Sequence, residues 1–82
     1  MNEDEGIKIV LNGTVETVKR DMTFEELTEK AFPDVQRTEY IEWEVDYRDA
    51  EDSRTGGREL EPRERLTITR GMVIDVSYTD KS

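Results

Sequence analysis

A chain of 82 residues has room for one domain, and with 33% apolar and 40% charged residues only strong local patterning can keep it folded. The balance of 12 Lys plus Arg against 21 Asp plus Glu gives a net charge of -9, which disfavours nucleic acid and anionic lipid as partners. Without a cysteine or a histidine, the chain lacks thiol nucleophiles, imidazole bases, disulfides and the usual ligands of zinc.

The lead-in, residues 1–6, is acidic and is expected to be flexible, and nothing in it reads as a signal peptide or a membrane span. The chain is therefore expected to be cytoplasmic. From Ile7 the period is two: Ile7, Ile9 and Leu11 alternate with Lys8 and Val10, and Asn12-Gly13 supplies a tight hairpin turn. Thr14 to Lys19 is expected to return antiparallel.

At Met22 the period changes to 3.6. Thr23 and Glu26 form a T-x-x-E capping box, with Met22 and Leu27 placed to close a hydrophobic staple. Phe24, Leu27, Thr28 and Ala31 share one face, and Pro33 stops a helix predicted over Thr23 to Phe32. Ile41, Trp43, Val45 and Tyr47 then alternate with Glu42, Glu44, Asp46 and Arg48, a strand with one apolar and one charged face. Ala50 to Glu59 has no apolar period and reads as a loop. Leu66 and Ile68, then Met72, Ile74, Val76 and Tyr78, give two more strands joined at Arg70-Gly71.

The order is ββαβββ, an α+β arrangement in which one helix covers one face of a mixed sheet. Such an order lets the last strand return beside the first, the β-grasp architecture of ubiquitin-like proteins. The expected inward set is Ile7, Ile9, Leu11, Phe24, Leu27, Ile41, Trp43, Val45, Leu66, Ile68, Ile74 and Val76.

Three stretches carry a resemblance to a known family: Ile7-Lys8-Ile9-Val10-Leu11-Asn12-Gly13, then Thr23-Phe24-Glu25-Glu26-Leu27 running on to Ala31-Phe32-Pro33, and Gly71-Met72-Val73-Ile74-Asp75-Val76 followed by Thr79-Asp80-Lys81-Ser82. The chain resembles the bacterial ubiquitin-like domains of the multiubiquitin family over nearly its whole length. That resemblance implies a β-grasp domain over residues 7–79 with a short tail, 80–82. It implies a protein modifier activated and conjugated through its C-terminus, with no catalysis and no cofactor of its own. Its implied partners are ubiquitin-activating-like, conjugating-like and JAB-type deconjugating enzymes, acting on a monomer. The chain departs from the pattern in carrying one copy and in ending on Asp80-Lys81-Ser82 where eukaryotic ubiquitin has a diglycine.

The segment Thr79, Asp80, Lys81 and Ser82 reads either as the tail an activating enzyme takes up or as an ordinary frayed terminus. Gly56-Gly57, the one diglycine, precedes Leu60, Leu66 and Ile74, so cleavage there would remove core strands and a loop role is expected. Asp46, Asp49, Glu51 and Asp52 crowd one segment, but Arg54 and Leu60 stand where a calcium loop starting at Asp49 needs glycine and glutamate. No metal site is expected. Asn12-Gly13-Thr14 is read as a hairpin turn, not a glycosylation site, and Trp43 as core or core rim.

The pleat turns Lys8, Val10, Val73, Asp75 and Ser77 away from the helix, joined by Glu42, Glu44 and Asp46. A binding face is expected there, with Val10 and Val73 as its apolar centre and acids such as Glu44 and Asp75 ringing it. Two isolated surface valines without a function are the plain alternative. Three function classes remain: a conjugated modifier, a non-covalent interaction module, and a sulfur carrier, which Ser82 in place of a terminal glycine counts against.

Overall fold

The computed structural model describes residues 6–51 and 57–82, so Asp52, Gly56 and most of the acidic lead-in lie outside the described residues. The chain orders as β1 (Ile7–Leu11), β2 (Thr14–Val18), β3 (Asp21–Thr23), α1 (Phe24–Ala31), β4 (Ile41–Arg48), β5 (Arg58–Leu60), β6 (Arg65–Thr67) and β7 (Val73–Asp80). Five strands form one mixed sheet in the order β2-β1-β7-β4-β5, and β3 and β6 form a separate antiparallel pair. The first and last strands lie side by side and parallel, with Val10 opposite Val73 and Leu11 opposite Ile74.

The β1–β2 turn follows from its two residues. Asn12 and Gly13 both take positive φ, 50° and 83°, as a two-residue hairpin turn requires, and that turn sets the register Leu11 to Thr14 and Val10 to Val15. Helix α1 starts where its cap dictates: the Thr23 hydroxyl accepts from the Glu26 N–H at 3.0 Å, and the Glu26 carboxylate accepts from the Thr23 N–H at 2.9 Å. Met22 and Leu27 are both buried at the staple positions. The helix ends at Ala31, one residue before the predicted Phe32, whose N–H still bonds to Thr28 C=O at 3.0 Å.

The core between sheet and helix holds Ile9, Leu11, Phe24, Leu27, Val45, Leu66, Ile68, Ile74 and Val76, as the alternation indicates. It also takes in Val18, Met22, Leu60 and Met72, which the inward set omits. Thr28 is buried as well, and its hydroxyl donates to Glu25 C=O at 2.8 Å, so the polar atom is satisfied.

Three expectations are corrected. The single sheet becomes two, because β6 pairs with β3 rather than joining the main sheet. Its place at the sheet edge is taken by β5, which lies largely inside the segment read as a loop and sets Leu60 against Val45. Ile7, Ile41 and Trp43 are only partly buried. For Ile41 and Trp43 the cause is length: an eight-residue helix spans about 12 Å, whereas the eight-residue strands β4 and β7 run about 26 Å and outreach it. Past the helix end, Phe32, Trp43 and Tyr78 cover the sheet instead. The Phe32 ring meets Tyr78 edge-on at 5.1 Å, Trp43 lies 5.3 Å from Tyr78, and the Arg37 guanidinium sits 4.9 Å over Trp43.

Candidate protein-binding surface

The face of the main sheet turned away from α1 is built by register. Val10 pairs with Val15 on one side and Val73 on the other, and Val73 pairs in turn with Arg48. One row therefore crosses four strands as Val15, Val10, Val73 and Arg48. Val10 and Val73 are half-buried by their neighbours, while Val15 is 65% exposed. Val15 is the member sequence reading missed, although the Asn12-Gly13 turn alone fixes it opposite Val10.

Beside this row, Asp75, Asp46 and Glu59 stand in register on β7, β4 and β5. Like charges directly opposite one another on a sheet face repel and destabilise. The Glu59 carboxyl is held above its ordinary range, first by partial desolvation and then by the charges of Glu61, Glu44 and Asp46. Glu44 and Glu42 continue the acidic stretch opposite Ser77 and Thr79, and a shallow trough is lined by Glu42, Glu44, Glu59, Ser77 and Thr79. The acids flank the valines on one side only. On the other side the same face carries Lys8 and its partner Thr17. Among the described residues no three acids converge as metal ligands would.

The proposed tail is distributed between sheet and solvent. Thr79 pairs with Glu42 and Asp80 with Ile41, so β7 runs through Asp80. The Lys81 N–H donates to Tyr40 C=O at 2.8 Å, and its ammonium lies 3.0 Å from Glu42. The Ser82 N–H and hydroxyl both donate to one Asp80 oxygen, at 2.9 and 2.7 Å, which holds the Asp80 carboxyl below its ordinary range. All four residues are exposed.

Gly57 leads into β5. A Cβ there would stand 2.9 Å from the Tyr47 carbonyl oxygen, so this half of the diglycine is required by close backbone approach. No described helix is long and apolar enough to cross a membrane. No protein-family model, curated protein or solved structure matches the chain.

Proposed function

We propose that the chain is a ubiquitin-like protein of the β-grasp type, a cytoplasmic monomer that serves as a protein modifier. Enzymes of an activating and conjugating cascade recognise its folded body, take up the segment Thr79 to Ser82, and a JAB-type enzyme releases it. The observation that supports recognition is the apolar row Val15, Val10 and Val73 lying against the in-register carboxylates of Asp75, Asp46 and Glu59. A sheet face that retains mutually repelling acids beside solvent-exposed apolar contact area is better suited to a partner than to folding alone. The carboxylates would select basic partner surfaces and speed encounter more than they deepen affinity.

A second reading, a non-covalent interaction module, is favoured by the bonds that tie Thr79, Asp80 and Lys81 to β4 and Tyr40. The two readings share the face and differ in the tail. ATP–pyrophosphate exchange by a ubiquitin-activating-like enzyme from the source genome separates them. Exchange with the free chain, abolished by a C-terminal fusion that cannot be processed while the fold is intact, supports the modifier. Equal exchange with the fusion overturns the tail reading, and no exchange with either favours the module.

A further inference from the structure

The main sheet has a gap in its hydrogen bonding on the β1 side of β7. Even-numbered residues of β7 turn their backbone groups toward β1: the Asn12 N–H donates to Ile74 C=O at 2.9 Å, and the next pair, on Val76, is met by a side chain. The Asn12 amide group accepts from the Val76 N–H at 2.7 Å and donates to the Val76 C=O at 3.1 Å, standing in for a strand neighbour. There the ladder stops, because β1 ends at Leu11 and the chain turns back into β2.

Tyr78 and Asp80 follow in the same phase. Their N–H and C=O groups point to the same side as those of Ile74 and Val76, away from β4, whose bonds are made by Asp75, Ser77 and Thr79. Among the described residues no strand pairs with β7 beyond Ile74 on this side, and Ser77 to Asp80 are exposed. A short sheet edge is thus open within a central strand, one place along from a cap that ends the ladder without covering it.

We propose that this edge accepts an added strand: an extended basic segment of a partner protein that pairs with Tyr78 and Asp80 as β1 pairs with Val73 and Ile74. Strand addition of this kind draws its affinity from main-chain bonds and its selectivity from alternate side chains. Residues of the segment turned to the helix side meet the Tyr78 ring and the Phe32 and Trp43 rings behind it. Residues turned to the other side lie beside Ser77 and Thr79 on β7, with Glu44 and Glu42 one strand further, Glu42 3.0 Å from the Lys81 ammonium. The occupant is therefore apolar on one face and basic on the other. A second copy of this chain, itself carrying a net charge of -9, is electrostatically disfavoured. This site uses different backbone from the valine row, and it shares Thr79 and Asp80 with the tail of the proposed function, so its test is made on the free, unconjugated chain.

The test is an amide-resolved NMR titration of the full chain with a synthetic heptapeptide alternating lysine and valine, blocked at both ends. Binding that slows hydrogen exchange at the Tyr78 and Asp80 amides, with Val10 and Val15 unaffected, is the expected result. N-methylation of the peptide amides that face the edge should weaken binding roughly tenfold or more, as loss of main-chain bonds requires. A glutamate–valine peptide should not bind. Asp80→Pro and Tyr78→Pro each remove one N–H that faces the gap and none that faces β4, so either variant that folds should bind the peptide correspondingly more weakly. Protection of the β2 edge instead, indifference to N-methylation, or no binding of the lysine–valine peptide would overturn the proposal.

Discussion

Asn12 and Val76, 64 residues apart, exchange two hydrogen bonds through one side-chain amide, joining the first turn of the chain to its last strand. Asn12 also holds a φ of 50°, a conformation that asparagine tolerates better than most residues. Asn12→Gly keeps the turn and loses the bonds, and should cost about 1–3 kcal/mol. Asn12→Ala adds the backbone strain, about 1–2 kcal/mol more. Urea denaturation of both variants separates the two contributions; equal stability of the Gly variant and the wild type would show that the bonds add nothing.

The capping box makes a pH-dependent contribution. The Glu26 carboxyl is held below the usual carboxylate range, first by its hydrogen bond from Lys19 at 2.7 Å and then by the Thr23 N–H. A depressed carboxyl stabilises the fold above the unfolded pKa and loses that contribution as pH falls through the folded value. Thr23→Ala should cost about 1 kcal/mol at neutral pH. Glu26→Gln should narrow the loss of stability between neutral pH and the acid range, measured by thermal melts across that window.

Leu27 and Ile74 are both fully buried, on the helix and the central strand that it covers. Truncating either to Ala should cost about 2–5 kcal/mol in chemical denaturation. Changes below about half a kcal/mol at both would misplace the core.

The acidic row carries the opposite expectation. Asp46 faces Asp75 on one side and Glu59 on the other, so Asp46→Asn should stabilise the domain by a few tenths of a kcal/mol up to about 1. Added salt should shrink the gain by screening the repulsion in the parent. The same substitution should slow association with a basic partner. A variant that is less stable than the parent at low salt would show that Asp46 has a structural role instead.

Replacing Val10 and Val73 together by Ser tests the valine row. Binding of the enzyme or partner should weaken while the domain remains folded, with circular dichroism as the check. Unchanged binding would remove this face and leave the β7 edge and the aromatic end of the sheet.

The sequence is most legible where the structure is local or periodic. Thr23 to Glu26 spans one helical turn, and Ile41 to Arg48 alternates without interruption, so cap, helix and long strand can all be read from neighbours. Arg58 to Leu60 cannot: three residues hold no period, and what makes them a strand is Val45 across the ladder. The same holds for Asp21 to Thr23, which is a strand because Leu66 faces Met22. At the surface, Val10 and Val73 follow from the pleat, but the position of the acids along one side depends on β5 occupying the edge. Asn12 reads as a turn residue, and its second role as a strand substitute depends on a contact no local pattern contains.

Because β1 needs β7 on one side, the sheet cannot be completed in the order in which the chain is made. A growing polypeptide can form the β1–β2 hairpin and α1 early, while Ile9, Leu11 and Leu27 wait for Ile74 and Val76 to be synthesised. Until then that apolar surface stays uncovered, and any copy of this domain placed in series with others would close only after its own last strand had followed.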